Sequence, residues 1–372
     1  MNISFRNQTT SAIRRGGLLG GNATTWTPPQ PTENLARTVE NFILTRLFLV
    51  VCIFGLVGNI LNLVVLSQKA LTYKMGRMER SVYYGLIGLA ASDMLICISV
   101  MPNVYVGTPR FSYASYDFRL FYIVYENAIV NTFLLSSTWL TVTMATSRYV
   151  AVCHPLKARQ FIGKRFAVTS LIGVIVVCVI FNLPRYFRQT IATYDCLDGS
   201  QIFIARPGKL RRGEAFERVY RWFYFVAGIL APLVLLIVCN AQLIRALRRA
   251  GYVREMSRAS QHNTRAANRL TLTLVIIVVM YIVLFIPGEI INFLKEFTTA
   301  GESTDIYNLA VAFFNLLQAV NSAFNFVLYS AVNTHFRHTI YLIVCCRAKQ
   351  AQHSSSSSNR HYGSVTGGST YV

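Results

Sequence analysis

The sequence predicts an all-α membrane protein, a seven-transmembrane helix bundle followed by a short amphipathic eighth helix. Three observations predict it. Of 372 residues, 53% are hydrophobic and only 14% charged, against roughly 25% charged in ordinary soluble domains, so polar surface is too scarce to cover a soluble fold of this size. Seven charge-poor runs reach the length needed to cross hydrocarbon, about 20 residues at a helical rise of 1.5 Å. Period-two alternation, the mark of barrel strands, is absent from them. The 36 Lys plus Arg against 15 Asp plus Glu, a net +21, fall in short clusters between apolar runs, which is a loop pattern and not a nucleic-acid face.

In chain order, residues 1–40 form a polar tail with three N-glycosylation sequons at Asn2, Asn7 and Asn22, a modification of the extracellular side. No secretory signal precedes them, because Gly16 to Gly21 is only a short apolar patch, and the first span is expected to direct insertion itself. Residues 41–334 hold the bundle. Leu47 to Leu66 carries no charge, Ser81 to Gly107 carries only Asp93, and Asn127 to Ser147 follows directly on Glu126. Phe166 to Leu183, Trp222 to Ile244, Leu270 to Gly288 and Ile306 to Thr334 are charge-free. With the N-terminus outside, the cytoplasmic loops and tail carry 20 Lys and Arg and two acids, Glu79 and Glu255. The other side holds the remaining 16 basic residues, half of them between Arg185 and Arg221, offset by most of the acids. Charge bias and sequons therefore agree on a multi-pass protein of the plasma membrane with an extracellular N-terminus.

Residues 335–346 space Phe336, Ile340, Ile343 and Val344 as an interfacial helix. Cys345 and Cys346 at its end are candidates for palmitoylation, with unmodified thiols the alternative. Residues 347–372 include the low-complexity run Ser354–Ser358, which cannot bury a core and offers hydroxyls for phosphate. The final Thr370-Tyr371-Val372 matches what a PDZ groove reads, a carboxylate after an apolar side chain with a hydroxyl two places earlier. A solvated tail without a partner is the alternative.

A charge at the bilayer centre costs about 2.5–3.5 kcal/mol on insertion scales, so Asp93 is expected to face the bundle interior. Asn59 and Asn62, Ser136 and Ser137, and Asn321 and Asn325 lie at depths where they can meet it. That core suits a sodium ion, a proton or water, and it equally suits an acid held for structure alone.

Gly58-Asn59, Leu89-Ala90-Ala91-Ser92-Asp93 and Ser147-Arg148-Tyr149 through His154-Pro155-Leu156 resemble rhodopsin-family (class A) G-protein-coupled receptors. Pro232, Pro287 and Asn325-Phe326-Val327-Leu328-Tyr329 extend the likeness from Val39 to Cys346 in the right order. The resemblance implies a receptor that binds an extracellular ligand and activates a heterotrimeric G protein by outward movement of the sixth helix. It implies that Arg148, followed by Tyr149, faces the G protein, that Asn325 and Tyr329 support the active state, and that Pro287 is the pivot. Asn59, Asp93, Ser137, Asn321 and Asn325 match the polar core that takes an allosteric sodium ion, and no other cofactor is implied. Arrestin is the implied partner of phosphorylated Ser354–Ser358.

Several departures qualify the likeness. Ser147 stands where an acid usually precedes the arginine, which suggests a low threshold or basal signalling. The usual disulfide has its loop half in Cys196, but no cysteine lies between Cys97 and Cys153. Cys196 is therefore expected to be free or intermolecular, and its loop to be held by other contacts. Leu284-Phe285-Ile286-Pro287, Phe326 in place of proline, and Cys239-Asn240-Ala241-Gln242-Leu243 resemble invertebrate neuropeptide receptors of the FMRFamide-receptor type.

The seventh run has no lysine, which excludes a retinal Schiff base. The aspartate that amine receptors use is absent near Val130, where Asn131 stands instead. Glu126, Asn131, Trp222, Phe285, Glu289 and Gln318 are the candidate ligand-binding residues. Their carboxylates can meet an arginine, and their rings an amidated aromatic end, of a short peptide. The alternative for Glu126 and Glu289 is pairing with loop cations such as Arg185 or Arg221. Enzymatic chemistry has no constellation of acids or histidines to carry it. An ion-conducting or transporting seven-helix protein is the better rival reading, though internal repeats are absent.

Overall fold

The computed structural model describes residues 13–15, 35–68, 77–105, 115–195, 201–208, 214–255, 275–295, 305–332, 336, 337, 340 and 341. Asn2, Asn7, Asn22, Cys196, Cys345, Cys346, Ser354–Ser358 and Val372 lie outside the described residues.

Among the described residues, six helices are long and apolar enough to cross a membrane: Leu35–Leu66, Ser81–Val104, Asp117–Cys153, Lys164–Tyr186, Ala215–Ala246 and Val275–Leu294. A bent pair, Asp305–Ala323 with Asn325–Ala331, supplies the seventh. These are the first to seventh helices below. The third outruns its apolar stretch, starting at Tyr116 behind an N-cap in which the Ser115 hydroxyl accepts from Phe118 N–H at 3.3 Å. Helix continues there because backbone bonding extends into the interface, where Glu126 and Asp117 no longer end it.

The third helix is central, packing on the second, fourth and fifth, while the first packs on the second and seventh. Cys52, Val100, Val130, Leu134, Leu236 and Phe285 belong to the main apolar core, which draws on six of the helices. Apolar side chains also line the outside, among them Val176, Ile180, Val234 and Ile237, the distribution expected when lipid and not water is the solvent. In such a solvent close backbone packing holds helices together. At Gly55 an added Cβ would lie 2.9 Å from both Ala323 Cβ and Cys97 Sγ, so glycine there lets three helices meet.

Three breaks in helical regularity have local causes. π-Turns over Phe225–Leu230 and Tyr281–Phe285 end just before Pro232 and Pro287. In each the next N–H bonds five residues back, Ala231 to Val226 and Ile286 to Tyr281, which makes room for a ring that lacks an N–H and crowds the carbonyl four residues earlier. The seventh helix bends by 43° at Phe324 without a proline. There the Asn59 side-chain amide donates to the Ser322 carbonyl at 3.0 Å, competing for an acceptor of the helical ladder, and a side chain inserted into that ladder bends a helix.

Between the fourth and fifth helices the chain forms a hairpin of β2 (Gln189–Asp195) and β3 (Gln201–Pro207), paired from Gln189↔Pro207 to Asp195↔Gln201. The tail strand β1 (Ile13–Arg15) adds antiparallel to the other edge of β3, giving the order β1-β3-β2. Past the seventh helix Phe336 is fully buried, with its ring 5.9 Å from Tyr329 and 6.1 Å from Phe326. Phe336, Arg337, Ile340 and Tyr341 are helical, and Arg337 Nη1 donates to the Ala331 carbonyl at 2.9 Å.

Candidate functional site

At the hairpin end the bundle encloses a cavity of about 450 Å³, counting the part open to solvent. Asn131 of the third helix and Glu289, Asn292 and Phe293 of the sixth line it. Tyr220, Arg221, Tyr224 and Ile229 of the fifth face them, and Arg185 and Arg188 enter from the end of the fourth. Helical spacing explains the grouping. Glu217, Tyr220, Arg221 and Tyr224 recur at intervals of three and four, as do Glu289 and Asn292, so each set shares one face.

Several of these side chains are already oriented. The Arg185 guanidinium lies 4.2 Å from the Tyr224 ring centroid, a cation–π contact, and its Nη1 donates to Asn127 Oδ1 at 3.4 Å. The Tyr224 hydroxyl donates to Asn131 Oδ1 at 3.4 Å. Gln318 Nε2 donates to Glu289 Oε1 at 2.9 Å, and Gly288 keeps that approach open, because a Cβ there would lie 2.8 Å from the same nitrogen. Arg188 donates through Nε and Nη2 to Glu217 Oε1, tying the entry of β2 to the fifth helix. Asn292 is 7% exposed, and neither of its amide atoms has a hydrogen-bond partner among the described residues.

Three of the six residues expected to bind a ligand come together: Asn131 and Glu289 in the cavity wall and Gln318 behind Glu289. The others lie elsewhere. Glu126 accepts from Asn103 Nδ2 at 2.7 Å between the second and third helices. Trp222 is 49% exposed, with its ring edge-on to Phe293 at 5.1 Å. Phe285 is deeper, stacked on Tyr281 at 4.8 Å. Asn292, Tyr220 and Tyr224 were not anticipated, although their spacing from Glu289 and Arg221 was visible in the sequence.

Below the cavity is the polar core. Asp93 is 1% exposed. Ser137 Oγ donates to its Oδ1 at 2.9 Å and Asn325 Nδ2 to its Oδ2 at 2.6 Å, so the carboxylate joins the second, third and seventh helices. Asn62 Nδ2 donates to Asn59 Oδ1 at 3.4 Å, and Asn59 turns to the Ser322 carbonyl. A second cavity lies alongside, lined by Ser137, Thr138, Asn321, Ser322, Asn325 and Tyr281 among others. Its hydroxyl and amide oxygens beside one carboxylate are hard donors that fit a small hard cation.

At the opposite end Arg148 is buried at 4% exposure. Its neighbour Ser147 donates to the Thr143 carbonyl at 2.7 Å, within its own helix. The Tyr149 hydroxyl lies 3.4 Å from His154 Nε2. Tyr329 is 2% exposed, inside the cluster that holds Tyr83, Met144 and Phe336. Pro287 follows the π-turn of the sixth helix.

A seven-helix bundle with a cavity under a hairpin, a buried acid at mid-depth and a buried arginine at the far end defines a multi-pass membrane receptor architecture. Residues 41–329 match the family model for the 7 transmembrane receptor (rhodopsin family), and the chain belongs to that family. It is therefore a receptor and not an enzyme. The chain is 28% identical over 316 residues to the FMRFamide receptor of Drosophila melanogaster, covering 82% of this chain and 54% of that protein. It is 26% identical over 359 residues to somatostatin receptor type 4 of Rattus norvegicus, covering 88% and 83%. It is 24% identical over 310 residues to somatostatin receptor type 1 of the same organism, covering 82% and 72%. The chain thus spans about half the length of the first of these relatives.

Proposed function

We propose that the chain is a plasma-membrane receptor of the neuropeptide branch, with its N-terminus and hairpin outside. It binds a short, amidated peptide in the hairpin-end cavity and activates a heterotrimeric G protein. The observation that carries this reading is Glu289, a carboxylate held toward the cavity by Gln318 and suited to a peptide's guanidinium or amine. Relatives named for FMRFamide and somatostatin support a peptide ligand. The π-turn before Pro287 supports a pivot in the sixth helix, and an agonist need only bind the outward state more tightly to populate it. The oxygens around Asp93 support an allosteric sodium ion that holds the second, third and seventh helices in the resting arrangement. Glycans at Asn2, Asn7 and Asn22, palmitate at Cys345 and Cys346, arrestin at phosphorylated Ser354–Ser358 and a PDZ partner at Val372 complete the proposal.

Calcium and cyclic-AMP responses of expressing cells to a panel of amidated short peptides test it. A response abolished by Arg148→Ala at intact surface expression, with potency lost in Glu289→Gln, is the expected result. Ion current or flux that persists without G-protein coupling would show a transporter or channel instead. A second reading, basal signalling without ligand, is favoured by Ser147, whose hydroxyl is turned into its own helix where a carboxylate would sit beside Arg148.

A further inference from the structure

Asparagines inside these helices follow a common habit, and one of them breaks it. Asn131, Asn182 and Asn240 each turn Nδ2 back to the carbonyl four residues earlier in their own helix, at 2.7, 2.9 and 2.7 Å. Asn292 does not. It is 7% exposed and lines the hairpin-end cavity, yet neither Oδ1 nor Nδ2 has a hydrogen-bond partner among the described residues. Other polar side chains in that wall are already engaged. Asn131 Oδ1 accepts from the Tyr224 hydroxyl, the Tyr220 hydroxyl donates to the Phe181 carbonyl at 3.1 Å, and Glu289 accepts from Gln318. Burying a polar group without a partner costs free energy, so the unmet needs of Asn292 describe the group that would meet them.

Those needs are one donor and one acceptor, side by side in a plane. A carboxylate or an ester can accept from Nδ2 but has nothing to donate to Oδ1, and an ammonium can donate but not accept. An internal trans peptide unit carries both, on opposite sides of its C–N bond. A primary carboxamide carries both on the same side. We propose that Asn292 reads the C-terminal amide of the ligand, with Oδ1 accepting from the ligand's N–H and Nδ2 donating to its carbonyl. This rests on the peptide reading and deepens it, because it assigns the terminal amide to one side chain. Asn292 follows Glu289 by three residues in the helix Ile286–Lys295, a rise of about 4.5 Å, so the ligand would bring its cationic group and its terminal amide to neighbouring points on one helix face.

Two probes that differ only at the terminus test it: acetyl-Leu-Arg-Phe-amide and the methyl ester of acetyl-Leu-Arg-Phe, titrated against the purified full-length receptor with thermal stabilisation as readout. Both are uncharged at the terminus, and only the amide can donate. The expected result is that the amide binds about tenfold or more tighter than the ester, and that the two bind alike in Asn292→Leu and Asn292→Ala. Without ligand, Asn292→Leu should melt no lower than the native chain, since it breaks no described bond. Equal binding of the two probes to the native receptor would overturn the amide subsite and leave the peptide reading standing. An amide advantage that survives in both variants would place the recognition elsewhere and overturn the assignment to Asn292. A melting temperature several degrees lower in both unliganded variants would show that the amide is bonded within the fold, and would overturn it as well. Failure of either probe to stabilise the native receptor at any concentration would overturn the peptide reading and the subsite together.

Discussion

Asp93 accepts one hydrogen bond on each oxygen, from two different helices. Replacing it by asparagine keeps the shape and removes the charge that would hold a cation. A sodium effect of about fivefold or more on agonist affinity is expected in the native chain and none in Asp93→Asn, measured by binding in sodium against choline buffer. At the far end, Ser147→Asp would place a carboxylate beside Arg148. If that pair stabilises the resting state by about 1.4 kcal/mol, the active population falls about tenfold, read as lower basal second-messenger output at equal surface expression. Residue identities in the polar core were legible because charge and amide groups are conspicuous in apolar helices. Partners were less so. Nothing in the sequence said that Asn59 would turn to the Ser322 carbonyl, or that Glu126 would be met by Asn103 and leave the cavity to Glu289.

At the scale of elements, Arg188 and Glu217 join the hairpin to the fifth helix through a charged pair whose side chains are 18% and 9% exposed. Hydrogen bonds between charged groups of this kind contribute about 1.5–3 kcal/mol. A double-mutant cycle with Arg188→Gln and Glu217→Gln should return a coupling in that range, and each single variant should speed amide exchange across Gln189–Asp195. Gly55→Ala pushes a methyl against Ala323 and Cys97 and should cost about 1–3 kcal/mol, the usual range for overpacking, seen as a lower melting temperature in detergent. The spans themselves could be read from charge-free runs, whereas their ends could not, because helices pass through the interface where charges are tolerated. The hairpin carried a readable signal, with Ile191 opposite Ala205, Ala192 opposite Ile204 and Thr193 opposite Phe203 in the register, but a loop between membrane helices gives no hydrophobic face by which to predict a sheet.

For the whole molecule, the bundle follows from one constraint, that backbone groups in hydrocarbon bond within their own helix. The family's shape was therefore recoverable from composition and a handful of motifs. Its ligand chemistry was not, because Arg185, Arg221, Glu289 and Asn292 come from three separate helices and meet only in the fold. The same holds for the hairpin's attachment. Cys52, Cys97, Cys153, Cys178 and Cys239 are all free thiols, and among the described residues the hairpin is held by strand pairing and the Arg188–Glu217 contact. With Cys196 a free thiol, ligand affinity should survive dithiothreitol without measurable loss, checked by saturation binding before and after reduction; a loss would show Cys196 in an intermolecular bridge. With that thiol free, a receptor closed in this way needs no oxidising compartment to mature, so chain made by cell-free translation into lipid nanodiscs, with the reductant left in, should reach its binding-competent form, whereas an intermolecular bridge at Cys196 would make maturation depend on oxidation.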